Sequence, residues 1–287
     1  MPLYHAFLTR FAVKLREGAP LPSVEWLQRR FALFEAFCLP SMRMQSELGF
    51  EWLLFYDAGL ASTWQDRLRG YAAEWPAVVP VPIDTPWNHF TAHDAVRSRV
   101  PQECRWVLTS RLDNDDAVAV DYNARLRAHA RRLARGAVVF DWGFNLAGQA
   151  VYVQPLLRGP FASTISEVGG EKRMLTVWDH EHEQLDQVMP VVHLGRPCAW
   201  IQVVHGDNLA NRQRGVRVPR RALLRRFPLP ALAADQREST ATLALGVASS
   251  GARFGWSVLS DGARAKRMLS YVRRRAYRVA QRVLSRR

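Results

Sequence analysis

Residues 105–117 read RWVLTSRLDNDDA. An apolar run, Arg105–Ser110, leads directly into Asp113, Asp115 and Asp116. Three carboxylates within four residues are costly to crowd unless a cation pairs with them. If the strand persists to its end, Asp113 and Asp115, two residues apart, point the same way and one ion can bridge both. Hard oxygen ligands select Mg²⁺ or Mn²⁺, and such an ion can hold a diphosphate and neutralise it as it leaves. Arg111 can offset the acidic cluster or hold phosphate. Asp116 is expected to point elsewhere, serving the turn or capping the next helix. The competing reading of the same residues is a solvated Asp/Asn turn.

Outward from this turn, the chain alternates strands and helices. Tyr4–Val13 reads as a first strand, ending near polar Thr9 and Arg10. Leu27, Phe31, Phe34 and Cys38 recur at helical spacing within 26–45, with a kink or stop at Pro40. Phe50–Tyr56 is a continuous apolar run closed by Asp57, as suits a strand buried on both faces. A helix over 63–75, a strand over 78–83 and a helix over 93–99 follow. Beyond the acidic turn come a helix over 120–135 and strands over 137–140 and 150–154, with Gly143 and Gly148 in the turn between them. This order predicts an α/β fold with a Rossmann-type, mostly parallel sheet covered by helices on both faces. Ligands of such sheets bind outside the carboxyl ends of the strands, where Thr9, Arg10, Asp57 and the acidic turn all fall.

Two further clusters carry candidate chemistry. Ala199–Val204 is an apolar strand followed by His205-Gly206-Asp207-Asn208. A neutral imidazole at a strand end is a good late ligand for the same ion, and Asp207 and Asn208 could do similar work. The alternative is a plain turn using Gly206. The segment TVWDHEHE, 176–183, gathers Asp179, His180, Glu181, His182 and Glu183. Its spacing is not HExxH, which argues against a zinc protease. Asp179, His180 or Glu181 could act as a general base toward an acceptor hydroxyl, or the segment could simply be a charged helix start.

Bulk composition is that of a globular protein, with 48% hydrophobic and 23% charged residues in 287. Three well-separated cysteines, Cys38, Cys104 and Cys198, form no disulfide framework and suggest a reducing compartment. With no signal peptide or membrane span legible, a cytoplasmic location is expected. The net charge of +14 is very uneven: residues 1–211 sum to −2 and residues 212–287 to +16. That asymmetry describes a near-neutral catalytic unit with a basic appendage. The expected organisation is a catalytic domain over 1–211, a linker with little core over 212–262, and a basic amphipathic helix over 263–287. The last segment holds ten Lys/Arg and no acid, a pattern suited to an anionic membrane surface or to a helix packed on the domain with a solvated basic face. No nucleic-acid-binding motif accompanies it, so no nucleic-acid partner is expected.

Six blocks occur in order along the chain: LTRF, LFEAFCLPSMRMQ, FEWLLFYD, the strand into RLDNDDA, FASTISE and WIQVVHGDN. Together they resemble the bacterial rhamnosyltransferase family, which is similar to GT-A glycosyltransferases. The resemblance runs from about Tyr4 to Asn211. It implies a GT-A-like fold and a nucleotide-diphosphate sugar donor, dTDP-rhamnose being one that the family name suggests. It implies that Asp113 and Asp115 bind Mn²⁺ or Mg²⁺ and the sugar diphosphate, that His205 completes the metal site, and that Thr9 and Arg10 line the nucleotide pocket. Asp57, Arg111 and Asn114 join them as candidate nucleotide-sugar contacts. If the donor is a β-linked rhamnosyl nucleotide and the product α-linked, the reaction inverts and needs one base, for which Glu181, Asp179 and His180 are the candidates in that order. A glycan or lipid-linked acceptor would place the enzyme at the inner face of the plasma membrane. The alternatives are a metal-dependent hydrolase or phosphotransferase, and a non-enzymatic membrane- or nucleic-acid-binding protein built around the tail.

Overall fold

The computed structural model describes residues 2–133, 135–169, 173–206, 213–233, 239–262, 265–266 and 268–270. The chain opens with β1 (Leu3–Ala12), α1 (Val24–Leu33), a π-helical turn (Phe34–Cys38) and α2 (Leu39–Arg43). Next come β2 (Glu51–Asp57), α3 (Ser62–Glu74), β3 (Val78–Ile83), α4 (His89–Arg97) and β4 (Trp106–Arg111). Then follow β5 (Ala117–Val118), α5 (Tyr122–Ala130), β6 (Gly136–Phe140), β7 (Trp142–Ala147), β8 (Ala150–Pro155) and β9 (Ala162–Glu167). The described chain closes with α6 (Leu185–Val188), β10 (Val191–Leu194), β11 (Trp200–Val204), β12 (Val216–Val218), α7 (Arg221–Leu224), α8 (Pro230–Ala233) and α9 (Thr240–Leu259).

Seven strands form the main sheet in the order β10-β6-β9-β4-β1-β2-β3. All neighbours in it are parallel except the two that involve β9, so the mixed α/β, mostly parallel architecture read from the sequence is present. One face is packed by α1, α3 and α5 through Phe31, Leu68, Tyr71 and Leu126. The other is packed by α4 and the 174–185 segment through Ala92, Val96, Met174 and Leu185. Side chains of β1 and β2 are buried on both faces, which explains their unbroken apolar runs.

The antiparallel β9 is set by polar pairing. Thr109 lies opposite Thr164 and Ser110 opposite Ser163, and their hydroxyls meet at 3.0 and 2.8 Å. His5 extends the chain with Nε2 at 2.9 Å from the Ser110 hydroxyl. A buried polar row of this kind is stable only when its members satisfy one another, and it therefore fixes strand register. Burial pulls the His5 pKa down to about 3, so its imidazole is neutral in the core.

Two expectations are corrected and one is narrowed. Of the kink or stop expected at Pro40, the stop is absent: the helix runs on through the π-helical turn into the first turn of α2, where the missing N–H of Pro40 is tolerated. Gly143 is not in the turn but in β7, and it is a glycine there because a Cβ would overlap the indole ring of Trp200. Gly148 does occupy the turn, at φ +56°. Residues 212–262 are more than a linker with little core. β12 joins a second, five-stranded sheet in the order β12-β8-β7-β11-β5, and Leu223, Phe227, Leu229 and Leu232 pack against it. Pro228 and Pro230 disguise this segment in the sequence, since its turns of helix are too short to show a period. Most of the basic segment 263–287 lies outside the described residues.

Candidate active site

The carboxyl ends of β1, β2 and β4 lie on one edge of the main sheet, since these strands are mutually parallel. The acidic residues leave β4 in a turn, with the Asp116 amide donating to the Asp113 carbonyl at 3.2 Å. This turn defeats the extended-strand argument that pointed Asp113 and Asp115 the same way. Asp113 faces back to Arg111, whose Nε and a terminal nitrogen each lie 3.3 Å from its two oxygens. Asp115 turns inward instead. Its Oδ2 accepts from Arg30 at 2.6 Å and lies 2.8 Å from His205 Nε2. Burial pushes the Asp115 carboxyl up, but hydrogen bonds and charge from His205 and Arg30 outweigh it and hold the group below its usual value.

Asp116 explains how His205 reaches this point from 90 residues away. Its side chain is fully buried, and Oδ1 accepts the Val203 amide at 3.1 Å. The acidic turn therefore grips β11 two residues before His205. Burial, followed by the charges of Asp115 and Asp113, raises the Asp116 carboxyl well above the usual range. Asn114 is a second brace: its side-chain amide donates to the Phe11 carbonyl at 2.9 Å and its Oδ1 accepts from Arg30 at 3.1 Å. Asn114 thus ties β1 to α1, and its amide is engaged within the protein. Asp207 and Asn208, the further candidates after His205, lie outside the described residues.

Beside the turn stands an arrangement of aromatic and basic side chains. The guanidinium carbons of Arg10 and Arg111 lie 4.2 and 4.4 Å from the Trp178 ring centroid. Trp87 meets Trp178 edge-on at 5.4 Å. Burial and then the like charge of Arg111 lower the Arg10 pKa. Two guanidiniums held this close favour an anion between or beside them. His182 Nδ1 lies 3.4 Å from Arg111; an arginine can only donate, so that ring nitrogen accepts and Nε2 carries the proton. Burial and the charge of Arg111 also lower the His182 pKa, which keeps the ring neutral. The segment bearing Trp178 and His182 is fastened to the sheet by the Val177 amide donating to Thr109 Oγ1 at 2.8 Å.

The other sequence candidates distribute unevenly. Thr9 is fully buried, donating to the Leu112 carbonyl at 2.7 Å and accepting from Trp52 Nε1 at 2.9 Å. It braces the site from below and does not line an opening. Asp57 ends β2, where it accepts the Gly59 amide at 2.8 Å and pairs with Lys14 at 3.3 Å. Asp179 accepts from the Thr176 amide and hydroxyl at 2.6 and 3.0 Å and pairs with Arg173. With only 1% of its side chain exposed, that carboxylate closes a turn and is poorly placed to meet an acceptor. Glu181 is exposed, and its charge is felt by Arg10; His180 is half-buried. Arg30 and Trp178 were not singled out from sequence, and His182 was named only as a member of the 176–183 cluster. For Arg30 a signal existed: it stands among Leu27, Phe31 and Phe34 on the buried stripe of its helix, where an arginine needs a partner.

A hard carboxylate oxygen and an imidazole nitrogen meeting at 2.8 Å suit a divalent cation as a pair of ligands. Among the described residues no third His, Cys, Asp or Glu completes a protein-only cage, and Asp113 is turned to Arg111. Mg²⁺ and Mn²⁺ sites often take their remaining ligands from water and substrate phosphates, so the pair fits the expected ion in that form.

Residues 16–217 match the family described as "Putative rhamnosyl transferase". The chain belongs to that family. No curated protein matches it. Among solved structures it is similar to S. aureus TarS 1–349 in complex with UDP, at 11% identity and a TM-score of 0.42, over 71% of this chain and 61% of that one. It is also similar to GalNAc-T7 with UDP, GalNAc and Mn²⁺, at 12% identity and a TM-score of 0.44, over 72% of this chain and 45% of that one. The family member thus spans about three fifths of the TarS chain it matches.

Proposed function

We propose that this family member is a glycosyltransferase that transfers a sugar, with rhamnose the candidate that the family description suggests, from a nucleoside-diphosphate donor to a glycan or lipid-linked acceptor. The observation that carries the reading is the meeting of Asp115 and His205, from distant parts of the family match, beside the Arg10–Trp178–Arg111 stack. Asp115 and His205 are the residues that would hold Mn²⁺ or Mg²⁺. When bound, the ion would supply a Lewis acid that neutralises charge gathering on the diphosphate. Arg10 and Arg111 bind the same diphosphate through charge-assisted hydrogen bonds. Neutral His182 donates its Nε2 proton as a hydrogen bond toward that anion, and so acts as a positioning donor and not as the base. Glu181, exposed and on the same segment, is the preferred base for deprotonating the acceptor hydroxyl in an inverting displacement.

The test is calorimetry with UDP, dTDP and GDP, with and without Mn²⁺. The wild type should bind at least one nucleotide more tightly with Mn²⁺ than without. His205→Ala should lose the Mn²⁺-dependent gain, while Arg10→Ala weakens binding in both conditions. Absence of binding to all three nucleotides under every condition would overturn the proposal.

A further inference from the structure

Helix α9 is apolar on both faces, which packing on its own domain alone does not require. Its twenty residues, TATLALGVASSGARFGWSVL, contain no acid and a single charge, Arg253. The face laid against the domain carries Leu243, Gly246, Ser250, Phe254 and Val258, each buried or half-buried. Ser250 is its buried member, with Oγ accepting the Arg217 amide of β12 at 2.8 Å. Gly246 lies so close to Arg217 that a Cβ there would come within 3.1 Å of its side chain.

Three large apolar side chains point outward instead. Leu245, Trp256 and Leu259 are 73%, 74% and 78% exposed, more than any other large hydrophobic residue among those described. Eleven residues on from Leu245, Trp256 returns to nearly the same face, and Leu259 is one turn further. Exposed Ala248 and Ala252 fill the positions between, and exposed Ala241 extends the row. From Leu245 to Leu259 this makes an uncharged stripe about 21 Å long at 1.5 Å per residue. No described helix is long and apolar enough to cross a membrane, so the stripe is a surface feature. Ordinary soluble surfaces scatter such residues singly; a contiguous row marks an interaction site.

The chain's own charge selects the occupant. Residues 212–287 sum to +16, and ten Lys/Arg with no acid follow at 263–287. A second copy of the chain would bring this positive charge against itself, whereas an anionic bilayer complements it. Exposed tryptophan at the end of an apolar stripe also suits the boundary between headgroups and acyl chains.

We infer that α9 seats its outer stripe in the interface of an anionic lipid bilayer. The basic residues that follow supply attraction, and Leu245, Trp256 and Leu259 supply insertion. This inference stands independently of the sugar-transfer reading.

Co-sedimentation of the full chain with vesicles tests it, using phosphatidylcholine alone or mixed with phosphatidylglycerol. The wild type should bind the mixed vesicles at least tenfold more tightly than the neutral ones. A Leu245→Ser, Trp256→Ser, Leu259→Ser triple variant keeps every basic residue and the packed face of α9, and circular dichroism should show it folded. Its affinity for mixed vesicles should fall at least tenfold. Raised salt should abolish the binding that remains, while the wild type keeps part of its binding. Equal binding by the variant and wild type would overturn the inference, as would failure of the wild type to bind mixed vesicles. A wild type that self-associates through the stripe and leaves vesicles alone would also overturn it, assigning the face to a second copy instead.

Discussion

Replacing Asp115 with alanine removes the partner of a buried guanidinium. The Arg30 and Asp115 side chains are 10% and 7% exposed, and their atoms meet at 2.6 Å. Breaking a buried pair by deleting one member costs about 3–5 kcal/mol, because the remaining charge is left uncompensated. Arg30 would keep Asn114 Oδ1 at 3.1 Å and the Trp26 ring at 4.7 Å, so the lower end, about 3 kcal/mol, is expected. For a protein of this size that is roughly a 6–12 °C fall in Tm. Asp115→Asn keeps an acceptor for Arg30 and loses only the charge assistance, so it should cost about 1.5 kcal/mol. Arg30→Met should be destabilising in turn, and the Arg30→Met/Asp115→Ala double variant should be less damaged than the sum of the singles by about 2 kcal/mol. Urea unfolding followed by fluorescence reads all four proteins. If Asp115→Ala shifts stability by less than about 1 kcal/mol and the two single effects simply add, the pair is not the buried brace described above. Any loss of turnover in Asp115→Ala must be judged against this cost in stability; Asp115→Asn is the cleaner probe of charge.

Asp116→Asn should alter how stability depends on pH. The folded pKa of Asp116 is raised, so above the unfolded value of about 3.9 the native state holds a proton that the unfolded state has released, and stability falls as pH rises until the folded pKa is passed. The substituted amide keeps an acceptor for the Val203 N–H without titrating, so that decline should be missing in urea melts taken between acid and neutral pH; an unchanged profile would show that Asp116 does not carry it. Gly143→Ala should cost about 3 kcal/mol, because its Cβ would overlap the Trp200 ring stacked on Phe161. Gly148→Ala, in open space at φ +56°, should cost only about 1–2 kcal/mol; equal costs in the same unfolding assay would show that β7 does not press on Trp200.

The fold was largely legible because its strands are buried on both faces. Leu3–Ala12 and Glu51–Asp57 have to be apolar at nearly every position, and that demand shows in the residues themselves. β7, β9 and the 213–233 segment were less legible for the opposite reason. β9 carries its register in Ser and Thr hydroxyls that read as loop residues until Ser110 and Thr109 lie opposite them. Gly143 looks like a turn glycine until Trp200, far along the chain, is laid against it.

The acidic turn shows the same division at the scale of single atoms. The residues alone determined that Asp113, Asp115 and Asp116 follow a buried strand, and left a cation site and a solvated turn as the two readings, since crowded carboxylates need either a partner or water. Tertiary structure decided which partner meets which oxygen. Arg111 faces Asp113, Arg30 and His205 converge on Asp115, and Asp116 turns away to hold β11. Those partners lie between two and ninety residues distant, and periodicity reports only what a residue's own element buries. Long-range pairing depends on where the strands end in space, so only the assembled sheet could set it.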